Sequence, residues 1–358
     1  MKSSGNRSPL HFDLLIFDMD GVLIDVSRSY RQAIQKTVQI FFETCLGLKK
    51  GLGTLVTKEE ISLFKSIGGF NNDWELTSAL ILYLLSISGL PPSARRKPFS
   101  AIGDVVQYLK TRSFPFRPRI NRLLWKKKLS LFVKPVQSCG GGLRGVRLAL
   151  TQTTGASWDG WIYRSGDIDK DNLVKRIFQE LYLGKQFTSS TRLHPLFHRG
   201  RGYYLKERLL IPRNILTALR KSVHMGIASG RPRLEAFLAL KRFHLLPLFD
   251  SIVTLEECEE EERRILKSTG ARVKRTKPHP YSILRVARER GTDRLRYGYI
   301  GDVVDDMHAA RAAKKTLNIA AIGFTSGHAN KTSAKEALVQ AGADRVIEKP
   351  EELLRLIA

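Results

Sequence analysis

Apolar and polar positions follow two different rhythms along this chain. Near the start, Phe12 to Phe17 is apolar except at Asp13. A run of that length predicts a strand buried on both faces, and therefore central in a parallel sheet. It stops at Asp18. From about residue 206 the pattern becomes strand, helix, strand: VHMGIAS, a helix over about 234–243, DSIVTL, a helix after Pro280, YGYIG, a helix through Met307 and Ala313, AAIGF and DRVIE. This alternation predicts an α/β unit, a Rossmann-like parallel sheet with helices on both faces.

Between these parts the period changes to that of a helix. Ile34, Thr37, Val38, Phe41, Phe42 and Cys45 form one apolar stripe, opened by Ser27 or Ser29 and closed near Gly47. Thr57 and Glu60 have capping-box spacing ahead of Ile61 and Phe64, with Gly68 and Gly69 as the stop. Leu173, Val174, Ile177, Phe178 and Leu181 mark a further helix ending at Gly184. The domain reading is therefore a core of residues 1–25 and 206–358, interrupted by a mostly helical insertion over 26–205.

Composition alters this picture in one respect. The chain has 358 residues, 42% hydrophobic and 26% charged, which suits two packed units and excludes a disulfide scaffold or a wholly disordered chain. Its net charge is +26, from 60 basic and 34 acidic residues. Much of the excess lies between Arg95 and Arg147, where fourteen Lys or Arg residues face a single acid, Asp104. Pro115, Pro118 and Pro135 are expected to break any long helix there, and Gly140, Gly141 and Gly142 to form a flexible junction. The tract at about 92–147 thus reads first as a solvated, partly ordered insertion. Contact with nucleic acid or an anionic membrane surface, or a funnel for phosphorylated substrate, are the alternative readings.

Cys45, Cys139 and Cys258 are odd in number and lack CxxC spacing, so neither a disulfide framework nor a zinc site is expected, and a reducing cytoplasm is the simplest location. The N-terminus has no continuous apolar stretch of signal-peptide type. Leu76 to Leu90 is too short and too rich in Ser and Thr to span a membrane and reads as a buried helix. The run Glu256, Glu257, Glu259 to Glu262 reads as a solvated face, with Cys258 inside it an inert thiol.

Candidate chemistry gathers at strand ends. Asp18 and Asp20 follow the first strand and are followed by Gly21; at spacing i, i+2 their side chains point the same way. Ser229 and Gly230 follow MGIA; Lys277 precedes Pro278 ahead of a helix; Asp302 follows YGYIG, with Asp305 and Asp306 beyond it. Ligands of open parallel sheets bind outside the carboxyl ends of the strands. Each residue also has an ordinary reading as a helix cap, a solvated charge or a first-turn acid.

Taken in order, FDMDGVLID, IASGRP, KPHP and GDVVDDM closely resemble the signatures of the haloacid dehalogenase superfamily of aspartate-nucleophile phosphotransferases. The resemblance covers residues 12–25 and 206–358, and the insertion looks like that family's helical cap of the first type. GGFNNDWELTSALILYLL and IFQELYLG look like a branch related to phosphoglycolate phosphatases. The resemblance implies Asp18 as nucleophile and Asp20 as general acid and then base. Ser229, Lys277 and the amides near Gly21 and Gly230 would hold the phosphoryl group. A Mg²⁺ ion would be bound by Asp18, the backbone carbonyl of Asp20 and Asp302, with Asp306 acting through water. An acid at position 20 favours phosphoryl transfer over dehalogenation.

The expected function is hydrolysis of a small phosphate monoester, a phosphorylated metabolite. A sugar-phosphate mutase or phosphotransferase using the same residues, and a polyanion-binding protein using the basic tract, are the alternatives. In the insertion, Arg28, Arg31, Asn71, Asn72, Asp73, His194, His198 and Arg201 are polar candidates for contact with the leaving group, against the ordinary reading of solvated faces.

Overall fold

The computed structural model describes residues 11–356 apart from 50, 52, 71, 290–294 and 329, and for 122–127 the backbone alone. Asn71 therefore lies outside the described residues. The chain divides into two compact units, one formed by the chain up to Val26 and from Glu207 onward, the other by Ser27–Lys206.

Among the described residues the first unit contains eight strands: β1 Leu14–Phe17, β2 Ile24–Asp25, β3 Arg208–Leu209, β4 His224–Ala228, β5 Ser251–Val253, β6 Arg296–Gly301, β7 Asn318–Phe324 and β8 Arg345–Ile347. Six of them make a parallel sheet in the order β5-β4-β1-β6-β7-β8, and β2 and β3 form a separate antiparallel pair. The continuous apolar run before Asp18 has its physical reason in this order. All four residues of β1 are buried, because β1 pairs with β4 on one side and β6 on the other and lies central in the sheet. Leu14 and Ile16 join Ile283, Val286, Met307, Ala310 and Leu338 in one apolar layer, contributed by helices Tyr281–Arg288, Val304–Ala313 and Lys331–Gln340. Phe17 belongs to the opposite face and meets Phe249 edge to face, ring centres 6.0 Å apart.

The second unit is helical: Tyr30–Ile40 continued by a π-helical turn Phe41–Cys45, then Lys58–Ser66, Asp73–Ser86, Ile102–Ser113, Arg122–Ser138, Gly142–Thr154, Leu173–Leu183 and Gln186–Thr191. The Thr57 and Glu60 capping box forms reciprocally, with Glu60 N donating to Thr57 Oγ1 and Thr57 N to Glu60 Oε2. Leu76 to Leu85 is buried on every side of its helix. Among the described residues no helix is long and apolar enough to cross a membrane.

Two expectations about the basic tract are corrected. Pro115 and Pro118 do fall in the break between helices Ile102–Ser113 and Arg122–Ser138, but the latter runs through Pro135. The glycines are not a loose junction either. Gly142 N donates to Gly68 O at 2.9 Å, and a Cβ on Gly142, whose φ is +61°, would stand 2.3 Å from Gly69 O. Gly68–Gly69 and Gly141–Gly142 are thus a crossing of two backbones that leaves no room for a side chain at Gly69, Gly141 or Gly142. Within the tract Phe99 packs on Tyr108 and on Tyr163 beyond it, and Arg112 lies over the buried Trp161 at 4.1 Å, whereas Phe114 and Phe116 are exposed.

Candidate active site

The register of the sheet brings four sequence signatures to one edge. Phe17 is level with Ile227 and Ile300, so Asp18 leaves β1 while Ser229 and Asp302 leave β4 and β6 one step farther along. Asp18 N donates to Ile300 O and Ser229 N to Val253 O, which fixes both chain exits. The order of the sheet reverses at β1, the place where a crevice opens in such folds.

Lys277 arrives from the loop before helix Tyr281–Arg288. Its Nζ stands 2.9 Å from Asp18 Oδ1 and 2.7 Å from Asp306 Oδ1. The loop is pinned by Glu262, whose Oε1 accepts from Arg275 N, so one member of the acidic run is structural. Glu256 and Glu257 are engaged as well, accepting from Arg233 N and Arg233 Nη2. The expected solvated face is therefore partly a set of anchors. Cys258 is buried beside it, and burial, with Glu262, pushes its thiol up to about 12, consistent with an inert group.

Asp306 is fully buried and accepts from four donors: Lys277 Nζ and Tyr299 OH on Oδ1, and the backbone amides of Asp302 and Val303 on Oδ2. Its oxygens are occupied by the protein, so it acts as the bracket that holds Lys277 and the Asp302 turn. Burial works against the charge on Lys277, yet Asp18 and Asp306 keep its ammonium well above the ordinary lysine range. Burial and the adjacent Asp306 push the Tyr299 phenol far up, so Tyr299 remains a donor.

Asp18 is different. Its Oδ1 faces Lys277 but receives no aligned hydrogen bond among the described residues. Burial pushes its carboxyl up to about 7 against the pull of Lys277, and Asp306, Asp20 and Asp302 add to the rise. Asp18, Asp302 and Asp306 each offer an oxygen within 4.8 Å of the others. Like charges this close cost about 4 kcal/mol per pair at ~4 Å and an effective dielectric near 20. A buried carboxylate oxygen without an aligned donor, beside further carboxylates, fits a small divalent cation with oxygen ligands.

Gly21 makes that approach possible. Its φ is +82°, and a Cβ there would lie 2.0 Å from Asp302 Oδ2, so only glycine lets the Asp302 carboxylate lie against this turn. His328, in the loop after β7, donates from Nε2 to Asp302 O at 2.9 Å, and the same nitrogen stands 3.4 Å from Asp302 Oδ2.

Asp20 does not share this cluster through its side chain. Its Oδ1 accepts from Arg231 Nε at 2.9 Å and from Arg231 Nη2. Arg231, together with Glu207, Tyr299 and His328, was not marked by the sequence motifs. Only the neighbourhood of Arg231 to Ser229 in IASGRP offered a signal, and Arg231 N donates to Ser229 Oγ at 3.2 Å.

Residues 212–320 match the family model described as haloacid dehalogenase-like hydrolase. The architecture also matches that of a Northeast Structural Genomics Consortium target, at a TM-score of 0.63 and 19% identity over 96% of this chain and 97% of that one. The fold is haloacid dehalogenase-like. A phosphatase, Tt82 from Thermococcus thioreducens, has a TM-score of 0.52 at 21% identity, covering 91% of this chain and 99% of that one. Among curated proteins, imidazoleglycerol-phosphate dehydratase of Phytophthora nicotianae is 25% identical over 301 residues, 84% of this chain and 41% of that protein. The chain thus spans about two fifths of the length of this relative. The family match begins beyond Asp18 and Asp20 and takes in Ser229, Lys277, Asp302 and Asp306.

In the helical unit, Asn72 caps helix Asp73–Ser86 by accepting from Glu75 N, and Asp73 faces Lys65 at 3.8 Å. The loop with His194, His198 and Arg201 is tied down by the buried Glu180, which accepts from the amides of Leu196, Phe197 and His198 and from Arg176 Nε. His198 Nε2 is turned to Arg201 O.

Proposed function

We propose that the chain is a Mg²⁺-dependent phosphatase acting on small phosphate monoesters through an aspartyl phosphate on Asp18. The observation that carries this reading is the buried Asp18 Oδ1 held 2.9 Å from the Lys277 ammonium without an aligned hydrogen bond. A buried oxygen that faces an ammonium but is tied up by no aligned hydrogen bond keeps the freedom a nucleophile needs.

The bond from an Asp18 oxygen to phosphorus forms as the ester P–O bond breaks, and Asp20 gives its proton to the leaving oxygen. Water then attacks phosphorus, Asp20 takes its proton, and Asp18 leaves as a carboxylate with inorganic phosphate as product. Lys277 carries positive charge against the phosphoryl oxygens and the Asp18 carboxylate. Ser229 and the amides near Gly21 and Gly230 supply donors to the phosphoryl oxygens. Asp18, Asp302 and the Asp20 carbonyl would hold a Mg²⁺ ion, which offsets negative charge and orients the phosphoryl group. Asp306 supports Lys277 and the Asp302 turn, in keeping with an indirect role.

The test is a panel of phosphate esters assayed with Mg²⁺, including sugar phosphates and imidazole-bearing phosphate esters, the latter because the curated relative bears such a compound in its name. Inorganic phosphate should appear in Mg²⁺-dependent fashion, and Asp302→Ala should lose both turnover and response to Mg²⁺. A sugar phosphate returned as its isomer, with no inorganic phosphate, would assign the same residues to a mutase. A protein inert toward every ester would overturn the reading.

A further inference from the structure

We infer that Arg231 is a positioning residue that fixes which oxygen of Asp20 transfers protons; the inference rests on the phosphatase reading above. Arg231 stands three residues past the end of β4, and its side chain is completely buried. Nε and Nη2 converge on one atom, Asp20 Oδ1. On its far side the guanidinium engages the buried Glu207, Nη2 with Oε1 at 3.2 Å and Nη1 with Oε2 at 3.3 Å. Nη1 also reaches Glu235 O at 3.5 Å. Glu207 is in turn held by its carbonyl, which accepts from Arg242 Nη1 at 3.0 Å.

The consequence for Asp20 follows from its torsion. The terminal torsion of an aspartate is broad and nearly two-fold, so a free carboxyl exchanges its oxygens readily. Two donors on Oδ1 stop that exchange. Oδ2 receives no hydrogen bond among the described residues, and the Asp20 side chain keeps 22% of its surface exposed. One oxygen is clamped and the other presented. The proton then resides on Oδ2 when the ester bond breaks and returns to Oδ2 when water attacks. The planar guanidinium, with its donors in a rigid fork, suits this task better than an ammonium on a flexible stem. Glu207 fixes the fork from behind, so that Asp20 is oriented by a group that is itself immobile.

A residue acting through the general acid has a signature that a residue merely supporting the fold lacks. A p-nitrophenolate leaving group departs without a proton, whereas an alkoxide needs one. Wild type, Arg231→Lys, Arg231→Gln and the double variant Arg231→Gln/Glu207→Gln are compared in single turnovers with Mg²⁺, using p-nitrophenyl phosphate and ethyl phosphate. Alcohol release in a single turnover reports the first half-reaction alone. Arg231→Gln should slow ethanol release about 100-fold and p-nitrophenol release less than about threefold, with Arg231→Lys between it and wild type on ethyl phosphate. The double variant removes the buried charges together and should show the same split, which keeps the test open should Arg231→Gln fail to fold. Equal losses on both substrates, or no loss, overturn this inference alone. Faster ethanol release in Arg231→Gln overturns it as well, because the contact would then restrain Asp20. Absence of Mg²⁺-dependent turnover by the wild type overturns the phosphatase reading and this inference with it.

Discussion

Lys277 holds its ammonium 2.9 Å from Asp18 Oδ1 while giving its aligned hydrogen bond to Asp306 Oδ1 at 2.7 Å. The cation is therefore anchored by the residue that has no exposure and directed at Asp18, the proposed nucleophile. Attachment and electrostatic work are divided between two carboxylates.

Lys277→Met should accordingly lower kcat by about 10²–10³-fold, the scale on which a preorganised charge or donor acts in a transition state. Circular dichroism should remain that of the wild type, because Asp306 keeps Tyr299 OH and two backbone amides. Steady-state assay with the best ester of the panel measures it. Wild-type kcat in this variant would remove Lys277 from the mechanism.

Asp18→Asn should abolish turnover and, in EDTA, change how stability depends on pH. Burial pushes the Asp18 carboxyl from 3.8 up to about 7. A raised acid contributes stability that is full below its unfolded value and is lost as pH rises through the folded one. Wild type therefore loses stability from this group between about pH 4 and pH 7, and the uncharged Asn does not. At pH 8 the variant should melt several degrees above wild type, with the difference closing toward pH 4. Differential scanning calorimetry at both values checks it; equal melting at pH 8 contradicts the assignment. Added Mg²⁺ should raise the melting temperature of the wild type and leave the variant little changed.

Gly21→Ala should weaken Mg²⁺ binding at least tenfold with modest loss of fold stability. A Cβ there would meet Asp302 Oδ2 at 2.0 Å, and the φ of +82° is itself strained for alanine, by about 1–2 kcal/mol. The Mg²⁺ concentration giving half-maximal thermal stabilisation measures the change. An unaltered midpoint would show that Asp302 does not need this approach.

The readability of the chain follows the range of its interactions. Asp18, Ser229, Lys277 and Asp302 could be found because each stands at the end of an apolar run or before a helix, and such runs are local in sequence. The Thr57 and Glu60 box is equally local. Arg231 and Asp20 are 211 residues apart, and Arg231 and Glu207 are 24 apart. Neither distance carries a period, and Glu207 lies in KERLL, where a charged residue is unremarkable. The run Gly140, Gly141 and Gly142 reads as flexibility for a related reason. A glycine needed for close approach and one that loosens the chain have the same letter, and only the partner backbone distinguishes them. Pro135 sits inside a helix because tertiary packing outweighs local preference, with Val136 of that helix fully buried.

The short pair of β2 with β3 sets Ile24 opposite Leu209 and Asp25 opposite Arg208. The sheet-bearing unit thus carries its two severed ends side by side, like the posts of a socket. Whatever is plugged in between can grow, shrink or be exchanged without re-threading a single strand of the sheet.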